Sequence, residues 1–196
     1  MASSRHPILI PLFDQLHGAR VILRPYTEQD AEAFFEAVQE SRDRLSVWDS
    51  WPQRCQGLAD AQRLLAYYRA DFILRQLMEV GIWDQATSSF LGSIIVRPKD
   101  WDVPSFEIGY WLRTSAEGHG YMGEALRLLL DFVVGHLGAN RVMMRIDERN
   151  QRSLAVAQRL GFVREGCLRN LEKATDGSLR NMVFMALIPA DRSGGT

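Results

Sequence analysis

The chain of 196 residues is 46% hydrophobic and carries a net charge of −1 with a pI near 6.4. This length and apolar content suit one domain, expected over 1–188 with a loose tail at 189–196, and argue against a second. The near-neutral charge excludes a broad attraction to nucleic acid or an anionic membrane, so an anionic ligand must be held by local geometry.

No apolar run approaches the roughly 18 residues of a membrane span, since Pro7 to Phe13 is short and broken by Pro11, and a soluble, cytoplasmic protein is expected. Cys55 and Cys167 stand alone, and His6, His17, His119 and His136 show no ligand spacing, so neither a disulfide framework nor a metal is indicated.

In chain order, Val21 to Arg24 reads as a short strand stopped by Pro25, and Thr27 caps a helix with Ala31, Phe34, Phe35 and Val38 on one face. Helical spacing of Ala61, Leu64, Leu65, Tyr68 and Phe72 predicts a second helix from Leu58 to Leu77. Met78 to Asp84 and Phe90 to Arg97 are β-rich runs joined by the polar turn Gln85 to Ser89, and Ser105 to Leu112 extends them into a meander. The helix Ala125 to Leu137 and the strand Arg141 to Ile146 follow. A short helix, Arg152 to Leu160, closes on Gly161, and two strands around Phe162 to Leu168 and Arg180 to Ile188 turn at Asp176-Gly177. The expected fold is α/β (α+β), a single domain with a mixed, twisted sheet of about seven strands flanked by helices.

The densest chemical signal is Glu117-Gly118-His119-Gly120-Tyr121-Met122-Gly123-Glu124-Ala125, three glycines running into a helix. Glycine admits positive φ and close approach of a ligand, and the first turn of a helix offers unpaired N–H groups and the positive dipole end, so the segment reads as a phosphate cradle. A nucleotide-hydrolase loop requires Gly-Lys-Ser/Thr, whereas Gly123 is followed by Glu124-Ala125. Gly118, Gly120 and Gly123, with Asp147 downstream, do meet the dinucleotide-binding spacing. Element order argues against that reading, because the loop follows a strand of an antiparallel meander and not the first strand of a repeated βαβ series.

Four segments together resemble the GNAT N-acetyltransferases, and within them the RimJ/RimL-type branch that acetylates protein N-termini. They are Arg44-Leu45-Ser46-Val47-Trp48-Asp49-Ser50-Trp51, Phe106-Glu107-Ile108-Gly109-Tyr110-Trp111-Leu112, Gly118 to Leu126, and Asn150-Gln151-Arg152-Ser153 with Leu160-Gly161-Phe162. The resemblance implies an acetyl-CoA site. Backbone N–H groups of Gly118, His119, Gly120, Tyr121, Met122 and Gly123 would hold the pyrophosphate, and the pantetheine arm would run beside Leu112 and Arg113. Relatives usually carry Gln or Arg at the position of Glu117 and a small residue at that of Met122. Here Glu117 would bring negative charge to the cradle, with His119 or Arg113 to offset it, and Met122 would add bulk.

Acyl transfer from a thioester to an amine needs a proton acceptor for the amine, a polarised carbonyl and a proton for the departing thiolate. Glu107 alternates with Phe106 and Ile108 on its strand and so faces away from them, as a base or as a salt-bridged acid; the resemblance makes it the base. Asn150 and Ser153 fit a helix cap. The resemblance implies instead that Asn150 holds pantetheine and Ser153 donates to the sulfur, because the tyrosine many relatives carry four residues before Gly161 is Ala157 here. Trp48, Trp51 and Trp111 are expected near the acceptor, with Arg42, Asp43, Arg44, Asp49 and Glu79 in the segments that shape its groove. The expected activity is acetyl transfer from acetyl-CoA to a primary amine, the N-terminal α-amino group of a protein or peptide. Acetylation of a small amine, or CoA binding without turnover, stays open, as does pairing of two copies of the chain.

Overall fold

The computed structural model describes residues 6–192. A short strand, β1 (Leu16–His17), is added to the expected elements and pairs with β2 (Val21–Pro25). After Pro25 the Asp30 carboxylate accepts from Thr27 N (2.6 Å) and Thr27 Oγ1 (3.0 Å), which closes the turn into α1 (Ala31–Ser46). Ala31, Phe34, Ala37, Val38 and Ser41 form its buried stripe, the spacing of one helical face. The second helix, α2 (Leu58–Leu74), ends before the expected Leu77, because Arg75 adopts a left-handed φ of 57° and its N–H turns back to the carbonyls of Asp71 and Phe72.

The meander consists of β3 (Met78–Asp84), β4 (Phe90–Asp100) and β5 (Ser105–Leu112). Beyond it lie α3 (Tyr121–Gly135), β6 (Arg141–Asp147), α4 (Gln151–Arg159), β7 (Val163–Lys173) and β8 (Leu179–Leu187). The described residues thus form one sheet of eight strands, in the order β1-β2-β3-β4-β5-β6-β8-β7. The expected tail begins as a helical turn, α5 (Pro189–Arg192), whose Arg192 Nη1 donates to the Leu130 carbonyl at 3.0 Å; residues 193–196 lie outside the described residues.

Strand alternation divides the apolar residues between two faces. On one, α3 lays Met122, Ala125, Leu126, Leu129, Leu130 and Val133 against Val80, Ile82, Ile94, Val96, Phe106 and Ile108, with α4 beside it. On the other, α1 and α2 cover an aromatic core of Tyr26, Phe34, Trp83, Phe90 and Trp111.

Every pairing is antiparallel except β5 with β6, and that parallel pairing covers only Ser105↔Arg141, Phe106↔Val142 and Glu107↔Met143. From Ile108 onward β5 keeps its partner β4 but has none on its other edge. Gly92 fixes the far end of β5. A Cβ at Gly92 would stand 2.2 Å from the Trp111 carbonyl and 2.8 Å from Leu112 Cα, so only glycine lets the strands meet where Arg113 N donates to the Leu91 carbonyl at 2.9 Å. Gly92→Ala must push backbone against backbone, and a loss of about 3 kcal/mol is expected, read as a lower melting temperature.

Candidate active site

The strand β5 leads through a 3-10 turn, Thr114–Ala116, into the glycine loop. Gly118 and Gly120 both have φ of 81°, and Gly120 is the residue capping α3. L side chains rarely adopt that conformation, so the two glycines are needed for the turn that aims the first N–H groups of α3 outward. A Cβ at Gly118 would meet nothing within 4 Å, so the loop is open to a ligand.

Both expected departures take a different form in the structure. The Met122 side chain is buried in the core under α3 and adds no bulk to the outer surface of the loop. The Glu117 charge is offset by Arg44 and Arg152, whose guanidinium groups both lie 2.7 Å from Glu117 Oε2. Neither His119 nor Arg113 serves that purpose. Arg113 is paired with Glu40, which also accepts from Ser115 N at 2.7 Å and ties the start of the loop to α1. The His119 carbonyl accepts from Arg20 Nη1 at 3.0 Å.

Arg20 is a member of the site that sequence reading missed. Its backbone N–H and Nε donate to Glu124 at 2.7 and 2.9 Å, and its guanidinium lies 5.0 Å from the Tyr121 ring centre. No local spacing links Arg20 to a loop about a hundred residues away; only the β2–α3 packing brings them together.

Where β5 parts from β6, the face covered by α1 and α2 is open above Gly109. A Cβ there would meet only Ile95 Cδ1, at 4.0 Å. Glu107 and Trp111 flank Gly109 on that face, two residues to either side. A glycine in the interior of a central strand is the sequence signal for such an opening. Across the gap, Tyr110 Oη donates to the Ser153 carbonyl of α4 at 3.4 Å, and burial pushes this tyrosine's pKa up. Asn150 Oδ1 accepts from Ser153 N at 3.1 Å, so Asn150 is the helix cap. The cap bond and the Tyr110 bond both use the backbone of Ser153. Ala157 is fully buried, and the Tyr110 phenol meets α4 at Ser153.

The Glu107 carboxylate is buried and ion-paired with three cations, Arg145 Nε at 3.0 Å, Lys99 Nζ at 3.3 Å and Arg97 Nη1 at 3.4 Å. Of the three tryptophans, Trp51 and Trp111 meet with ring centres 5.4 Å apart, and Phe34 packs 5.9 Å from Trp111. Trp48 stands apart from this aromatic cluster. Its carbonyl accepts from Arg180 Nη1 at 2.6 Å, while Thr175 Oγ1 donates to the Ser46 carbonyl at 2.8 Å. These two bonds seat the β7–β8 hairpin against the end of α1.

A second buried carboxyl, Glu79, lies on the same sheet face. Its Oε1 is 2.9 Å from Ser93 Oγ, which is also 3.1 Å from the Val80 carbonyl. Burial pushes the Glu79 carboxyl up to about 8, against the hydrogen bond from Ser93. Among the described residues, no group of three or more His, Cys, Asp or Glu side chains is placed to hold a metal ion, and no helix is long and apolar enough to cross a membrane.

Residues 20–163 match the family described as the Acetyltransferase (GNAT) domain, and the chain belongs to that family of N-acetyltransferases. YdaF of Bacillus subtilis (strain 168), provisionally named a ribosomal N-acetyltransferase, is 27% identical over 176 residues, which are 89% of this chain and 94% of YdaF. The ribosomal-protein-serine acetyltransferase of Escherichia coli (strain K12) is 37% identical over 70 residues, 36% of this chain and 39% of that protein. Among solved structures, a RimL ribosomal L7/L12 alpha-N-protein acetyltransferase in complex with coenzyme A has a TM-score of 0.81 at 23% identity, covering 91% of this chain and 97% of its own. The microcin C7 self-immunity acetyltransferase MccE, in complex with acetyl-CoA and AMP, has a TM-score of 0.80 at 19% identity over 87% of this chain and 93% of its own. These two likenesses bear on the fold.

Two outcomes are expected of the site itself. Gly120→Val forces a branched side chain into the left-handed region, 3.5 Å from Arg20 Nη2, and should weaken CoA binding at least about tenfold by calorimetry. Because Glu79 titrates near 8 when folded and near 4.5 otherwise, the folded state holds a proton that the unfolded chain has released between those values. Stability from this group is full below about pH 4.5 and is lost as pH rises through 8, by a few kcal/mol. The melting temperature of the parent should therefore fall from pH 5 to pH 8.5 by more than that of Glu79→Gln.

Proposed function

We propose that the protein transfers the acetyl group of acetyl-CoA to the N-terminal α-amino group of a protein or peptide. The observation that carries this is the parting of β5 from β6 directly after Glu107↔Met143. It leaves one edge of Ile108 to Leu112 without a strand partner, in line with the glycine loop. An edge of unpaired N–H and C=O groups is what the two amides of a pantetheine arm require, and it delivers the arm's far end to the cradle. The pyrophosphate would lie on the N–H groups from Gly118 to Gly123, with two cations at the rim, Arg20 and Arg127, whose Nη1 donates to the Gly123 carbonyl at 3.4 Å. The thioester would then reach Gly109, a point on β5 where the opposite face is open to an incoming amine.

An extended peptide terminus is proposed to approach the open face above Gly109 beside the joined β7–β8 hairpin and α1 end. The names of the YdaF and ribosomal-protein-serine relatives support a protein acceptor. In this reading Trp51 and Trp111 form the aromatic wall behind the amine. Tyr110 and Ser153 lie across the gap, where the Ser153 hydroxyl is proposed to donate to the leaving sulfur. Glu107, expected as the base, stands at the foot of the gap, but a proton arriving there must displace ion pairs with Arg97, Lys99 and Arg145. Asn150 is proposed to meet pantetheine while capping α4.

Release of free thiol from acetyl-CoA should depend on added peptide and exceed that with polyamines, amino acids and aminoglycosides, with the acetyl group found on the peptide terminus by mass spectrometry. Preference for a small amine would replace the peptide reading, and tight CoA binding with no acceptor-dependent release would leave only a binding module. Since the cap belongs to Asn150, Asn150→Ala should cost about 1 kcal/mol of stability. Ser153→Ala should keep the parental melting temperature and slow turnover about ten- to a hundredfold. Parental turnover in Ser153→Ala would remove it as the donor.

A further inference from the structure

Glu107 is ion-paired with three cations, and Asp147, another buried carboxyl on that face, with Arg149 and Arg180, whereas the buried Glu79 has no such partners. The antiparallel register sets Glu79, Ile95 and Gly109 in one row across β3, β4 and β5, so Glu79 stands two strands from the open point above Gly109, on the same face as Glu107 and Trp111. The groups that face it are Ser93 and Arg97 from β4, Tyr68 from α2, Tyr26 from the segment after β2, and Asp49 from the α1–α2 connection. None of its hydrogen bonds is to a cation: Ser93 and Tyr68 are its side-chain partners, and Arg97 acts on it only through its charge while pairing directly with Glu107.

Proton counting describes its state without reference to titration. Ser93 Oγ is within hydrogen-bond distance of both Glu79 Oε1 and the Val80 carbonyl, and a hydroxyl has a single proton. The carbonyl can only accept. If Ser93 donates to Val80, the Glu79 carboxyl must supply the proton on the other side and is the neutral acid. If Glu79 is ionised, Ser93 turns to it and gives up Val80. The hydroxyl therefore serves either state, which is what a group that gains and loses a proton in each cycle requires. On the same face the Nε1 atoms of Trp83 and Trp111 are buried without a hydrogen-bond partner, so the surroundings carry unused polar capacity and no cation in hydrogen-bond contact with Glu79.

We propose that Glu79 is the proton acceptor for the attacking amine, with Ser93 holding its carboxyl in both protonation states and Glu107 remaining an ion-paired carboxylate. This deepens the proposed transfer to an α-amine and rests on that reading. The amine nitrogen forms its bond to the thioester carbonyl carbon, and its proton is relayed through water to a Glu79 oxygen, because that carboxyl lies two strands, roughly 10 Å, from Gly109. The C–S bond breaks with its electron pair staying on sulfur. The thiolate takes a proton from the Ser153 hydroxyl, which regains one from solvent while Glu79 releases its own to solvent, giving the N-acetyl product and free CoA thiol. The carboxyl, pushed up to about 8, matches an α-amino group of about 7.7–8.0, so the proton moves between groups of nearly equal affinity.

The test compares Glu79→Gln, Glu79→Asp and Glu107→Gln with the parent, after calorimetry has shown that each binds CoA as the parent does. Turnover of a peptide should fall roughly 10²- to 10⁴-fold in Glu79→Gln, recover in part in Glu79→Asp, and fall less in Glu107→Gln. A structural role is separated by the pH profile. With peptides whose terminal amines differ in pKa, the amine's own inflection moves with the acceptor. A second inflection near pH 8 should stay in the parent and vanish in Glu79→Gln. Parental turnover in Glu79→Gln, or a larger loss in Glu107→Gln with the inflection near 8 retained in Glu79→Gln, overturns the proposal. A parent that acetylates no amine at all overturns the proposed function as well, which is a different result from an active parent indifferent to Glu79.

Discussion

The site depends on a ladder that stops after three residue pairs. Ser105, Phe106 and Glu107 bind β5 to β6, and beyond them the two strands part. Parallel strands hydrogen-bonded along their whole length would leave no unpaired edge, and strands that never met would not bring α3 and α4 to opposite sides of one gap. The three pairs are secured from both sides. The Asn140 and Arg141 N–H groups donate to the Pro104 carbonyl at 2.8 and 3.3 Å, while Phe106 and Val142 are fully buried under α3. What separates the strands afterwards is the burial of α4, whose Leu154, Val156, Ala157 and Leu160 join the core on the α3 side and whose Ser153 carbonyl receives Tyr110 across the opening.

Three carboxylates near this gap show how surroundings set roles. Glu117 is half-buried between two exposed arginines, and in that position a negative charge beside a phosphate site is largely cancelled by Arg44 and Arg152. Glu107 is buried but shares three cations, one of which, Arg145, continues through Glu172 to Arg180 and Asp147 as a chain of alternating charge. A buried charge is tolerable in such a network, because each group finds a partner. Glu79 has only hydroxyls in hydrogen-bond contact. Burial without a paired cation disfavours its charged form, which is the condition under which a carboxyl becomes a base near neutral pH.

Local chemistry made much of the fold legible. Pro25, Gly161 and Asp176-Gly177 punctuate the chain where elements end, and the period of α1 and the alternation along β3 to β5 are strong because each element buries a single face. The glycine loop was legible for the same reason, since Gly118 and Gly120 are demanded by backbone conformation and need no distant partner. Helix ends were less so. The start of α3 at Tyr121 follows from the Gly120 cap, and the stop of α2 at Leu74 follows from Arg75, a residue without any intrinsic preference for a left-handed turn.

What lay beyond the sequence is whatever depends on contacts between distant segments. Arg20 reaches the cradle only because β2 packs beside α3, and Arg44 and Arg152 meet at Glu117 only once α1 and α4 flank the same loop. Glu107 illustrates the limit most plainly, because alternation along β5 correctly sets it opposite Phe106 and Ile108 yet says nothing of Arg97, Lys99 and Arg145, which come from two neighbouring strands. A carboxylate and a glycine two residues apart on one strand mark a place where chemistry can happen. Which carboxyl accepts the proton there is decided by the cations and hydroxyls that the sheet register brings to each, and register is a property of the whole fold.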